Sequence, residues 1–345
     1  MSKRSDKIDR FKIFTTETGK LQMLIPIEWE YKNPSLYKTD KKAPESFGKY
    51  DKMLGAFQVS CKEVNEHISG IITANKLAIQ SSDKGKLDFQ DKLFVIHNSH
   101  HYMWLCAVDD HFILVTYIVN TRQHNFKRGI LEFKQVRDAL ATIKFIKPQF
   151  RDIVIARNRY TLFMSSIAAT IDLRNRAIEN GSFIEFIILT ANYIDALLRS
   201  AIVLTDQLEQ SNSDIDITVL FQSETDKPIM EKEIYKRALE RSIIDEKLFD
   251  ELTELYNERN KVVHRYIITD IRTEDMLGIS FRYDDLGDKV LALISSLEKK
   301  QFEQKIGLYG QGIEPGTESK DELKIKLQYQ LMDKHGRIKL PERRK

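Results

Sequence analysis

Arg259, Asn260 and His264 are the residues of this chain whose types and spacing best suit chemistry. The arginine is a permanent cation, the histidine titrates near neutrality, and the asparagine amide can orient either of them. Together they suit RNA cleavage without a metal. The histidine takes the proton from a ribose 2′-hydroxyl or gives one to the leaving 5′-oxygen, while the arginine stabilises charge building on the phosphoryl oxygens. Transfer to the 2′-oxygen leaves a cyclic phosphate. Of the eight histidines only His264 follows an arginine at this spacing, so the motif is unambiguous within the chain.

The element that carries the motif limits how it can work. On an α-helix, at about 100° per residue, Asn260 and His264 share a face while Arg259 and His264 diverge by about 140°. One helix therefore cannot stack the arginine on the histidine. Two copies meeting across a two-fold axis bring both pairs around one phosphate, which an isologous dimer does by symmetry.

Residues 148–305 are expected to be almost entirely helical, in about five segments. Ile153 to Asn180 reads as a helix ended by Asn180-Gly181, and Ser182 with Glu185 reads as a capping box opening the next. That second helix, to about Gln207, is apolar nearly all round, as expected for the centre of a bundle or part of a dimer interface. Residues 209–227 read as a loop, with a short strand over Ile217 to Phe221 as the alternative. Pro228 fits the first turn of a third helix, Asp245 caps the motif helix, and 284–305 forms the last long one.

This region resembles the HEPN superfamily, helical bundles whose nuclease members carry Arg-x4–6-His, commonly Arg-Asn-x3-His, on a late helix. The matching residues are Arg259, Asn260 and His264. The upstream Asp195-Ala196-Leu197-Leu198-Arg199 also matches, since members often carry an acidic residue before a Leu-Leu-Arg step. The resemblance implies a homodimer with a composite cleft that cuts RNA without a metal or other cofactor, with Arg259, Asn260 and His264 catalytic and Asp195 supporting. In that reading Asp195 reaches across the bundle to hold Arg259. The architectural alternative pairs Arg259 with Glu254, Glu258 or a neighbouring acid, lets His264 close a helix end, and makes Asp195 and Arg199 an i,i+4 pair.

Composition sets the frame. A chain of 345 residues, 42% hydrophobic and 30% charged, has material for two domains with a well-solvated surface. With 54 basic against 51 acidic residues, RNA must be met by a local patch rather than a global field. Two cysteines, Cys61 and Cys106, form no metal spacing and fit a reducing cytoplasm. Residues 1–7 lack the apolar core of a secretory signal, and no apolar run is expected to reach the length of a membrane span. The expected location is the cytoplasm, with no membrane partner.

Residues 1–147 have a different texture and read as an α+β domain, a small antiparallel sheet with helices. Leu21 to Pro26, Gly55 to Ser60 and Leu93 to Ile96 are strand candidates. His101 to Val108 and His111 to Val119 form a hairpin around Asp109-Asp110, with Tyr102, Trp104, Phe112 and Tyr117 as sheet aromatics. Helices over 62–79 and 132–143 are placed to cover one sheet face. The order of elements looks like the α+β sandwiches of the PsbP type, with no motif residue behind the likeness. His97, His100 and His101 cluster without a nearby cysteine or glutamate in ligand spacing and read as a wet loop. Lys38 to Lys42 reads as a solvated loop. Residues 306–345 read as a linker around Gly310 to Gly316, then a hairpin or basic tail ending in Arg343-Arg344-Lys345.

Two functions of different class follow. The first is a metal-independent endoribonuclease of HEPN type, a toxin or antiphage abortive-infection effector in which the α+β domain senses a trigger, binds RNA or an antitoxin, or restrains the nuclease. The second is a non-catalytic HEPN-like dimerisation or scaffold protein whose N-terminal domain recruits a partner. No glycine-rich phosphate loop, His-Glu-x-x-His or nucleophile elbow supports another familiar enzyme class.

Overall fold

The computed structural model describes residues 11–32, 43–49, 54–222, 226–310 and Lys334. They form an α+β unit up to Asn158 and a helical unit from Arg159, the boundary falling inside one long helix. The segment Lys38 to Lys42, the extreme N-terminus and the proposed C-terminal linker and hairpin after Gly310 lie outside the described residues.

The first unit holds two sheets. One is three-stranded, with β2 (Leu21–Pro26) between β1 (Phe11–Thr15) and β10 (Lys144–Phe145). The other is seven-stranded: β3 (Trp29–Tyr31), β4 (Glu45–Lys49), β5 (Gly55–Glu63), β9 (His111–Asn120) and β8 (Ser99–Val108) lie in that order. Both β6 (Ile79–Gln80) and β7 (Gln90–Ile96) pair with β8. The expected hairpin is β8 and β9, closed at the Val108 and His111 pair, with Asp109 in the left-handed region at φ 47°. A second tight turn joins β7 to β8 through His97 and Asn98, at φ 47° and 62°. Paired positive φ values are what a two-residue hairpin turn needs to match strand twist.

Strand periodicity explains the core. Trp104, Cys106 and Val108 alternate with Leu105 and Ala107 along β8, and the two sets enter different apolar clusters. The first cluster includes Val136, Ala139 and Leu140 of α3 (Lys127–Leu140), and the second Ile68 and Ile72 of α1 (Glu66–Ala74). The two helices therefore cover opposite faces of the sheet rather than one. The short α2 (Thr121–His124) links β9 to α3. Inside α3, Glu132 is fully buried and accepts from the amides of Leu54 and Gly55 and from the Tyr117 hydroxyl at 2.8 Å.

Among the described residues the second unit contains helices and no strand: α4 (Pro148–Glu179), α5 (Phe183–Gln210), α6 (Ile217–Leu220), α7 (Glu231–Glu240), α8 (Glu246–Arg265) and α9 (Thr273–Gln304). The chain is thus α+β followed by a helical region, as its patterning requires. Gly181 takes φ 68° after α4, and the Ser182 amide returns to the Ala177 carbonyl. Ser182 precedes α5 but makes no side-chain cap, so the expected capping box is not formed. Residues 217–220 form a helical turn where a loop or short strand was expected, because Asp216 caps it through the Thr218 amide. Pro228 lies before α7, whose N-cap is Met230, instead of in its first turn.

The core of this unit is α5. Ile187, Ile194, Leu198, Ala201 and Leu204 are buried against residues of α4, α7, α8 and α9. By length and composition α5 is the one helix among the described residues able to cross a membrane, contrary to the expectation that no run reaches that length. Yet 67% of that stretch is buried, as a bundle centre demands. Packing also continues past residue 305. The Leu308 amide donates to Gln207, the Tyr309 amide to Gln301, and Gln301 is itself fully buried.

Candidate functional site

α8 is continuous through all three motif residues and starts where expected, the Asp245 carboxylate accepting from the Leu248 amide at 2.8 Å. Its buried face runs through Leu252, Leu255 and Val262. Arg259 lies within about 60° of Val262 around the helix, whereas His264 lies about 160° away. Arg259 is accordingly half-buried and His264 exposed; Asn260, one turn before His264 on the same face, is half-buried as well. No hydrogen bond or ion pair joins the His264 side chain to another described residue. The Arg259 and Asn260 side chains are joined by a hydrogen bond, and His264 lies one turn beyond Asn260, about 140° around the helix from Arg259.

Arg259 is held on several sides. Its Nη1 pairs with Glu231 Oε2, its Nη2 donates to Asn260 Oδ1 at 3.2 Å, and its Cζ lies 4.7 Å from the centre of the Tyr256 ring. Burial works against the charge on this guanidinium, but the Glu231 carboxylate, helped by Tyr283 and Tyr235, holds its pKa above the ordinary value. Glu231 opens α7, and its Oε1 accepts from the Tyr235 hydroxyl. Burial, and then the Glu231 charge, push the Tyr235 phenol well above its usual range. The ring of Tyr256 also meets Lys232, whose Nζ is 4.6 Å from its centre.

Asp195 is close to this cluster but is committed elsewhere. Its Oδ2 accepts from Arg199 Nε at 2.7 Å within α5, the i,i+4 pair foreseen as the alternative. Arg199 in turn donates to the carbonyls of Val219 and Ile229, each at 2.8 Å, and so ties α5 to the chain on either side of residues 223–225. Burial raises the Asp195 pKa, opposed by Arg199 and, more weakly, by Arg259. Asp195 Oδ1 is buried without a hydrogen-bond partner among the described residues. The acid that contacts Arg259 is therefore Glu231. Glu254 and Glu258, the other foreseen partners, are both engaged by Arg282 of α9.

Sequence reasoning missed Glu231 and Tyr235. Glu231 lies 28 residues before Arg259, and no spacing rule joins them. Tyr256 was within reach, since a residue three positions before Arg259 on a helix is its surface neighbour. Apolar side chains are exposed on either side of His264: Val263 before it, and Ile267 at 94% and Ile268 at 78% exposure after it.

The described histidines of the first unit form no grouped set of their own. His97 occupies the β7–β8 turn, while His100 and His101 are successive residues of β8 and face opposite sides. His100 stacks edge-on against His124, whose Nε2 is 3.0 Å from the Tyr102 hydroxyl. Among the described residues no three histidine, cysteine or acidic side chains are grouped to hold a metal ion. Burial pushes the thiols of Cys61 and Cys106 up to about 12, which leaves them as poor nucleophiles.

No protein-family profile matches this sequence, and no curated protein does. Among solved structures, a Bacteroides thetaiotaomicron VPI-5482 protein is similar at 13% identity over 54% of this chain and 78% of its own, with a TM-score of 0.30. The solution structure of cyanobacterial PsbP from Synechocystis sp. PCC 6803 is similar at 7% identity over 42% of this chain and 98% of its own, with a TM-score of 0.25. At those scores neither likeness carries an argument, including for the PsbP-type reading of the first unit.

Proposed function

We propose that the chain is a metal-independent endoribonuclease of HEPN type that acts as a homodimer and leaves 2′,3′-cyclic phosphate ends. The observation that carries this reading is the state of the motif on α8: a cation pinned in one orientation, and a histidine on the exposed side. Arg259 stabilises the charge that develops on the phosphoryl oxygens, and His264 moves the proton at the 2′- or 5′-oxygen. Asn260 steadies the guanidinium.

The divergence of Arg259 and His264 around α8 calls for a second copy to complete the site. Exposed Val263, Ile267 and Ile268, close to His264 in sequence, supply the apolar surface for such a contact. In this account the first unit senses a trigger, meets an antitoxin or restrains cleavage, and the cellular role is growth arrest in the cytoplasm, as a toxin or an antiphage effector. Incubating the full-length protein with a mixed RNA pool in EDTA, beside His264→Ala, tests it. Cleavage by the parent protein alone is expected, and cleavage by neither, or equally by both, rejects it.

One observation favours the second reading, a non-catalytic dimerisation or scaffold module. The Arg259 and Glu231 charges cancel within the chain, which is also how a purely architectural ion pair is built. Dimerisation without RNA cleavage supports that reading.

A further inference from the structure

The pair that holds Arg259 is constructed differently from a surface ion pair. Both partners have side chains only 14% exposed, and both carboxylate oxygens of Glu231 are occupied, one by Arg259 and the other by the Tyr235 hydroxyl. Tyr235 is itself 0% exposed, packed in the core of the helical unit. The carboxylate thus cannot swing without disturbing a buried ring. On the other side, Asn260 and the Tyr256 ring complete the cradle of the guanidinium.

Such an arrangement has a cost and a use. Burying two charges opposes folding unless their geometry and remaining hydrogen bonds are good, so a half-buried pair is a weak way to gain stability. What it does provide is orientation. A free arginine side chain samples many rotamers, whereas a cation held against an anchored carboxylate presents the same donors in one direction. Stabilising charge in a transition state depends on donors that are already in place when the charge develops. Asp195 does not contact Arg259: its Oδ2 is held by Arg199, which also donates to two carbonyls.

We propose that Glu231, anchored by Tyr235, is the positioning residue that sets the Arg259 guanidinium in its working orientation toward the scissile phosphate. This rests on the RNA-cleaving reading of the motif. Glu231 acts through Arg259 and does not itself touch substrate.

The test is steady-state cleavage of a defined single-stranded RNA by the full-length protein, its Glu231→Gln, Tyr235→Phe and Arg259→Ala variants, and the Glu231→Gln/Arg259→Ala double variant. Positioning of a group that acts in the transition state predicts that Glu231→Gln lowers kcat by about tenfold or more with KM nearly unchanged. Tyr235→Phe loses less in the same direction, and keeps the question open to measurement if the glutamine variant folds poorly. The double variant is expected to be no slower than Arg259→Ala alone, since a residue acting only through Arg259 has nothing left to position. Losses that multiply in the double variant, or an unimpaired Glu231→Gln enzyme, overturn the positioning role while the nuclease reading stands. A parent protein that cuts no RNA overturns the nuclease reading and this role with it.

Discussion

Arg259 and His264 lie on different flanks of α8, so substitutions there read different parts of the proposed site. His264→Ala removes an exposed proton carrier and touches no packing, and Arg259→Ala removes the cation from a half-buried cradle. Each is expected to lower the RNA cleavage rate by about 10²-fold or more, the size of acid–base and electrostatic contributions. Asn260→Ala should lose less, because its amide offers one hydrogen bond of 3.2 Å to a guanidinium that Glu231 already holds. Rates for the three purified variants, with circular dichroism to check the fold, decide this; an Asn260→Ala enzyme weaker than Arg259→Ala would reverse the assignment. The motif was legible in the sequence because its residues share one helix. Glu231 was not, because it comes from another helix and only tertiary packing brings it to the arginine.

At the scale of elements, local rules worked where the chain itself supplies the partner. Asp245 caps α8, Gly181 takes the left-handed conformation after α4, and the β8–β9 hairpin closes where Asp109-Asp110 suggested. Asp245→Ala is expected to destabilise the helical unit by about 1 kcal/mol, the usual worth of an N-cap. Urea melts followed at 222 nm check the figure, and an unchanged midpoint would mean that packing alone fixes the start of α8. Local rules fell short where tertiary contacts decide. β1, β3 and β4 went unnoticed because their pairing partners, not their own patterns, complete them. Ser182 has a capping residue's identity but makes no cap bond, and Asp216 instead turns residues 217–220 into helix. The opposed placement of α1 and α3 follows from the alternation along β8, which shows its consequence only when both faces are seen to be buried.

For the whole molecule, the change from an α+β to a helical region was readable near residue 148, where α4 begins. The far boundary was less so, because Leu308 and Tyr309 bond back to buried glutamines after α9 has ended. A fragment covering 148–310, which keeps α4 whole and these contacts intact, is expected to stay helical and to dimerise. It should also cleave RNA at least as fast as the full chain if the first unit restrains it; a fragment that dimerises yet cuts nothing, beside an active full chain, assigns substrate binding to residues 1–147. Light scattering of the intact protein is expected to give twice the 40.3 kDa chain mass. Ile267→Asp, at a side chain 94% exposed in the single chain, is expected to shift it to monomer and abolish cleavage without altering the fold. An active monomer would remove the composite site.

The claim that this motif performs metal-free transfer to a ribose oxygen leaves a chemical signature on the product. End-group analysis of an RNA cut by the intact protein, with and without EDTA, reads that signature directly. The account predicts 2′,3′-cyclic phosphate and 5′-hydroxyl ends at the same rate in both conditions, and their loss in His264→Ala. Ends bearing 3′-hydroxyl and 5′-phosphate, or cleavage that stops in EDTA, would contradict it.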